Sequence, residues 1–157
     1  MTQRFKLTIE YEGTKFCGWQ TQRGGGAVQD ALSEAVFKFC GEELNVNGAG
    51  RTDTGVHARG QVAHLDIDKS TDASTLLKAL NFHLKPHPVA VLSAQLVDSE
   101  FDARFSAIRR HYEYRILSRR VRPTLLVDRV WWVPVELDVE AMQEASGRLT
   151  GHHDFTT

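Results

Sequence analysis

Apolar and polar residues change rhythm along this chain, and the changes mark its elements. Phe5, Leu7, Ile9 and Tyr11 alternate with Lys6, Thr8 and Glu10, the period of two that a half-buried strand requires. Val28, Ala31, Leu32, Ala35, Val36, Phe39 and Cys40 then recur at helical spacing, and Gly41 stands where a left-handed C-cap belongs. Leu44 and Val46 begin a second strand that runs into a glycine-rich loop. Ala63, Leu65 and Ile67 alternate with His64, Asp66 and Asp68 as a third. Thr71 or Asp72 caps a second helix, faced by Leu76, Leu77, Leu80 and Leu84 and stopped by Pro86 and Pro88. Residues 89–97 form a fourth strand rich in β-branched residues. The order strand, helix, strand, strand, helix, strand predicts an α+β domain of ferredoxin-like (βαββαβ) topology over residues 1–100. Its helices cover one face of the sheet and leave the other open, as in RRM-like RNA-binding domains.

Beyond residue 100 the pattern thins. Residues 101–107 read as irregular. Tyr112, Tyr114 and Ile116 alternate with polar neighbours as a strand, and residues 130–133 form another, ended by Pro134. Asp138 caps a last helix carrying Ala141, Met142, Ala145 and Leu149. Two strands and a helix of this length rarely make a core of their own. Residues 101–157 are therefore expected to be an incomplete second α+β domain.

Charge sharpens this division. The net charge is −1, yet between Phe101 and Val130 stand eight arginines (104, 109, 110, 115, 119, 120, 122 and 129) against Asp102, Glu113 and Asp128. Such a segment suits a polyanionic partner, and arginine's planar fork matches phosphate bidentately; a solvated surface is the plainer alternative. The 41% apolar content is enough for a buried core. Two cysteines without a CxxC pair fit a reducing compartment. No apolar run is long enough for a membrane span, and the first residues lack a signal peptide's apolar stretch, so a soluble cytoplasmic protein is expected.

The least ordinary stretch is residues 48–64, with glycines at 48, 50, 55 and 60 and, between them, Arg51, Asp53, His57 and Arg59. Nearby positive charge favours an ionised carboxylate. Asp53 is thus either a poised nucleophile or base on a tight loop, or one solvated charge of a hairpin. The triplet Gly24-Gly25-Gly26 lacks a Walker lysine and reads as a mobile connection. Asp53, His57 and His64, or the run His152-His153-Asp154, invite a metal reading, but their spacings match no standard site and no metal is expected.

Four motifs in this order resemble the tRNA pseudouridine synthase A family. They are Tyr11-Glu-Gly-Thr-Lys-Phe-Cys-Gly-Trp-Gln20; Gly50-Arg-Thr-Asp-Thr-Gly-Val-His-Ala58 with Gly60-Gln-Val-Ala-His64; Phe101-Asp-Ala-Arg-Phe-Ser-Ala107 with Tyr112-Glu-Tyr114; and Gly151-His-His-Asp-Phe155. Thr54 departs from the alanine commonest after the aspartate. The resemblance spans the whole chain but corresponds to the N-terminal three-fifths or so of a family member. It implies an isomerase that converts uridine to pseudouridine at positions 38 to 40 of the tRNA anticodon stem-loop, without a cofactor. The family's catalytic aspartate falls on Asp53, its base-stacking tyrosine on Tyr112, and its loop arginine linked to base flipping on Arg51. Tyr112 also reads as a core tyrosine, since it alternates with Tyr114 and Ile116. Arg59, Arg104, Arg109 and Arg110 are candidate RNA contacts. The family works as a homodimer, and this shortened chain alone is expected to be inactive. The alternative function is a non-catalytic RNA-binding domain, although an RNP1-type aromatic signature is missing.

Overall fold

The computed structural model describes residues 2–156. Two compact units divide the chain, one running through Arg110 and the other beginning at His111. In the first unit the elements are β1 (Gln3–Tyr11), α1 (Val28–Cys40), β2 (Asn47–Gly48), β3 (Ala58–Ile67), α2 (Ala73–His83) and β4 (Val89–Val97). The sheet is antiparallel with spatial order β2-β3-β1-β4, so the expected ferredoxin-like α+β topology is present. β1 and β3 form its centre. Their register sets Phe5 opposite Leu65 and Leu7 opposite Ala63, which gathers the alternating apolar residues of both strands on one face.

The helices bury that face. α1 contributes Val28, Ala31, Leu32, Ala35 and Val36, a stripe at i, i+3, i+4, i+7 and i+8, and α2 contributes Leu76 and Leu80. Asp30 reaches back to accept from the Ala27 backbone N–H at 2.9 Å, which satisfies one donor at the start of α1. Asp72, rather than Thr71, is the N-cap of α2 and accepts from Thr75 N–H at 2.9 Å. Gly41 closes α1 in the left-handed conformation, with φ 76°. Asn81 joins α2 to strand β4: its amide donates to Val91 O at 2.8 Å, and its carbonyl accepts from Val91 N–H at 2.9 Å. β4 lies at the edge of the sheet, so Asn81 occupies backbone groups that an edge would otherwise leave unpaired.

The second sheet face is partly covered by the chain itself. Residues 98–110 cross it as a strap, and 101–107 are irregular as expected. Arg4 forks onto Asp66 at 2.7 Å through both Nε and an Nη, and its other Nη donates to Phe101 O at 2.9 Å and to Ser99 O. His64, only 4% exposed, accepts from Ala103 N–H at 3.0 Å through Nδ1 and meets Phe101 edge-on. Lys6 lies 5.8 Å from the centre of the same ring. A polar β-face would normally stay wet. Here Arg4 and His64 find hydrogen-bond partners in the strap and Asp66 is paired by Arg4, so covering these groups costs little.

The second unit is thinner. β5 (Ile116–Ser118) and β6 (Trp131–Val133) pair in parallel, and α3 (Val139–Gly147) follows its N-cap Asp138. No residue of α3 is buried. The strand expected from Tyr112 begins only at Ile116. Alternation makes a segment capable of pairing, but a strand needs a backbone partner, and β6 supplies one only from Ile116 onward.

Two outcomes are expected. Asn81→Ala strips both bonds from Val91 and should cost about 1–3 kcal/mol in urea unfolding; a loss below about 0.5 kcal/mol would mean that solvent replaces them fully. The second concerns His64, whose pKa is held below its ordinary value, first by burial and then by the charge of Arg4, with Asp102 and Asp66 pulling the other way. The unfolded chain takes up this proton near the ordinary value of about 6.5 and the folded chain only lower, so stability should decline as pH falls from about 7 toward 5. Asp66 and Asp102, both lowered, add stability that is lost only at more acid pH, as their carboxylates protonate. His64→Gln keeps an acceptor without titrating and should flatten the slope in the upper window. An unchanged slope in that variant contradicts this origin.

Candidate active site

The first two sequence motifs are one physical object. The turn after β1 and the loop before β3 are stitched along their backbones. Trp19 N–H donates to Thr52 O at 3.0 Å and Gly55 N–H to Phe16 O at 3.3 Å. Thr54 Oγ1 donates to Cys17 O at 3.1 Å, and Gly13 N–H donates to His57 Nδ1 at 2.9 Å. Two glycines permit this approach. A side chain at Gly13 would overlap the Val56 carbonyl. Gly18 sits at φ 110°, and a Cβ there would lie 2.5 Å from Thr52 O. The glycine triplet is tied to the same turn: Cys17 N–H donates to Gly26 O at 3.0 Å, and Val28 N–H, at the start of α1, donates to Gly18 O at 3.1 Å.

Within the loop, residues 50–53 alternate. Gly50 and Thr52 are half-buried, and Arg51 and Asp53 are exposed. The inward pair is held from beneath. Gln61 Nε2 donates to Gly50 O at 2.7 Å, and the Tyr11 hydroxyl lies 2.8 Å from Thr52 Oγ1. Arg51 and Asp53 are both exposed and line the same depression. The backbone then turns through Thr54 and Gly55, closed by Val56 N–H on Asp53 O at 3.1 Å.

Arg51, Thr52, Asp53 and Thr54 form one wall of an open depression of ≈ 570 Å³, and Cys17, Gln20, Thr21 and Gln22 form the other. Among the described residues no protein side chain bonds to the Asp53 carboxylate, and no ion pair joins it to Arg51. The arrangement leaves a carboxyl oxygen accessible from solvent on a backbone held by hydrogen bonds. Chemically it suits a nucleophile or base acting on a ligand that enters from outside.

The other sequence-derived candidates lie elsewhere. Arg59 is exposed on β3 and does not line the depression. Arg104 and Arg109 are exposed on the strap, and Arg104 lies 5.7 Å from the Phe105 ring centre. Arg110 spends its guanidinium on carbonyls, reaching Ala49 O at 2.8 and 3.3 Å and Arg104 O at 3.1 Å. It thereby ties the strap to the start of the loop. Tyr112 belongs to the second unit and is 74% exposed, so its reading as a core tyrosine is set aside. Among the described residues no three His, Cys, Asp or Glu side chains converge as a metal site. The histidine run at 152–154 is engaged locally instead: His153 Nε2 lies 3.0 Å from Thr150 O, and Asp154 accepts from Thr156.

Sequence reasoning passed over Tyr11, Thr52 and Gln61. Tyr11 read as the last apolar position of β1. The available signal was that this strand ends on a hydroxyl-bearing ring at the start of the first motif.

Comparison with known proteins gives the same four motifs a common setting. A family model described as tRNA pseudouridine synthase matches residues 7–106. The chain is 58% identical over 154 residues to the tRNA pseudouridine synthase A of Rhodopseudomonas palustris (strain HaA2), which covers 98% of this chain and 63% of the relative. It is 55% identical to that of Paramagnetospirillum magneticum (strain ATCC 700264 / AMB-1), over 98% of this chain and 60% of the relative. For that of Xanthobacter autotrophicus (strain ATCC BAA-1158 / Py2) the identity is 54%, over 98% and 63%. The chain thus spans about three-fifths of the length of these curated relatives. The family match runs through β1, the pinned loop with Arg51 and Asp53, both helices and most of the strap, so the chain belongs to the tRNA pseudouridine synthase A family.

Proposed function

We propose that a protein of the relatives' length carrying these residues isomerises uridine to pseudouridine in the tRNA anticodon stem-loop, at positions 38 to 40, with Asp53 as nucleophile and no cofactor. The observation that carries the reading is the exposed Asp53 carboxylate, beside Arg51, on a loop whose backbone is held from beneath. The reaction keeps every non-hydrogen atom of the base. If the carboxylate attacks C1′ of the ribose, the C1′–N1 bond breaks and its electron pair stays on the uracil. The base turns, C5 attacks C1′, Asp53 leaves, the C5 hydrogen departs as a proton and N1 gains one. Addition to C6 of uracil uses the same oxygen and also ends with loss of the C5 hydrogen.

A uridine stacked in a helix must first be extruded, at a cost of a few kcal/mol. Arg51, which lines the same depression as Asp53, fills the vacated space. Tyr112, exposed, stacks on the flipped base, a contact worth roughly 1–3 kcal/mol. Arg59, Arg104 and Arg109 contact phosphates, while Arg110 supports the strap that carries two of them. The partner is tRNA, and the whole protein is a cytoplasmic homodimer. No described helix is long and apolar enough to cross a membrane.

Two measurements test these roles. With tRNA tritiated at uridine C5, the protein of full relative length should release tritium, and Asp53→Ala should lower the rate by about 10³-fold or more. Undiminished release from the variant excludes Asp53 as nucleophile, and binding without any release would leave a non-catalytic RNA-binding domain. For the arginines, log–log plots of tRNA affinity against salt should lose roughly one unit of slope for each of Arg104→Gln and Arg109→Gln. An unaltered slope removes them from the interface.

A further inference from the structure

Tyr11 has no place in the proposed chemistry, yet it reaches the loop that carries it. Its ring is buried at the end of β1, 3% exposed, and packs against Trp19 with centroids 6.0 Å apart. Such a ring has no freedom to swing, so its hydroxyl is a fixed point in the fold. That hydroxyl lies 2.8 Å from Thr52 Oγ1. The carbonyl of the same Thr52 accepts from Trp19 N–H at 3.0 Å. Two residues before Thr52, Gly50 O is held at 2.7 Å by Gln61, which lies opposite Ile9 in the β1–β3 register. The two residues flanking Arg51 are therefore gripped from the core, and one of them is the immediate neighbour of Asp53.

We propose that Tyr11 is a positioning residue for the reaction: with Thr52 and Gln61 it forms a partly buried hydrogen-bond clamp that sets the direction in which Asp53 and Arg51 leave the backbone. This rests on the reading of Asp53 as nucleophile. Asp53 sits on a loop held by hydrogen bonds at Gly50, Thr52, Thr54, Gly55 and Val56, and the Tyr11 hydroxyl reaches the side chain of the residue just before it, Thr52. A carboxylate attacking carbon must hold a near-attack geometry, in which a displacement of about 1 Å costs about 10²-fold in rate. Binding of a whole tRNA, spread over many phosphates, is insensitive to such a displacement. Loss of the clamp must appear in the chemical step and leave affinity alone. Burial pushes the Tyr11 phenol up, against hydrogen bonds from Thr52 and Gln61 that pull it down. The hydroxyl therefore keeps its proton through the neutral range and the clamp is always set.

The test removes one oxygen. In the protein of full relative length, Tyr11→Phe should lower kcat for C5 tritium release about 10- to 100-fold and leave KM for tRNA within about twofold. Thr52→Val should match it, Thr52→Ser should recover at least about tenfold over Thr52→Val, and the double variant Tyr11→Phe/Thr52→Val should be no worse than either single change. A kcat within twofold of the parent, a loss confined to KM, or multiplicative losses in the double variant would overturn the clamp. A readout free of catalysis runs beside it on the 157-residue chain. In Tyr11→Phe, amide hydrogen exchange at Trp19 and Val56 should accelerate at least about tenfold while the Leu84 amide at the end of α2 keeps its rate. Unchanged exchange at Trp19 and Val56 also overturns the proposal. If the parent releases no tritium while exchange accelerates as stated, the assignment of function fails and the clamp stands as a feature of the loop.

Discussion

The grip on Gly50 and Thr52 is the constraint from which the candidate site follows. A loop containing Gly48, Gly50 and Gly55 has more backbone freedom to lose than most, at about 1–2 kcal/mol per ordered residue. That cost is met during folding by groups already fixed in the sheet: the Tyr11 hydroxyl at the end of β1, the Gln61 amide on β3 and the Trp19 N–H of the adjoining turn. Because the inward residues are held, the outward ones inherit their direction. Arg51 and Asp53 are presented together without needing a contact between themselves, and the carboxylate stays available to a ligand. An ion pair between them would have been a simpler way to order the loop, but it would have occupied the oxygen that chemistry requires.

The same logic governs the strap. A ferredoxin-like sheet with two helices has one face to spare, and in this chain the spare face carries Arg4, Lys6, His64 and Asp66. Those side chains act as sockets. Arg4 takes the carbonyl of Phe101, His64 takes the N–H of Ala103, and Phe101 lies between His64 and Lys6. The third motif is therefore anchored by side chains that look, strand by strand, like ordinary solvent-facing positions. Arg110 closes the far end on Ala49 O, so the strap ends within two residues of Arg51 in sequence register with the loop. Exposed Arg104 and Arg109 ride on a segment whose backbone is already committed, which lowers the entropy of any phosphate contact they make.

The second unit shows what happens when pattern lacks partners. Tyr112 and Tyr114 alternate as a strand should, yet they lie outside β5, and Tyr114 is 89% exposed. α3 has a proper cap at Asp138 and an apolar stripe but buries nothing. Local propensity has set these elements, and in this unit no core has formed around them.

Much of the molecule was determined by its sequence alone. Alternation in β1, β3 and β4, helical spacing in α1 and α2, Gly41 and Asp72 at their caps, and the order of elements were all legible, because each depends on residues within a few positions of one another. The residues of the loop were legible too, through the density of glycine and charge around Asp53. What only the tertiary structure decided involves groups distant in the chain. It made the glycine-rich turn and the Asp53 loop one stitched body, set Arg110 on the carbonyls of Ala49 and Arg104, covered part of a face expected to be open, and brought Tyr11 to Thr52 and Gln61 to Gly50. Apart from Gln61 on Gly50, 11 positions away, and Arg110 on Arg104, 6 away, these hydrogen bonds join residues more than 30 and up to 97 positions apart. Their donors and acceptors carry no periodicity, so they leave no mark on the pattern of apolar and polar residues, and only the packed sheet brings them within reach.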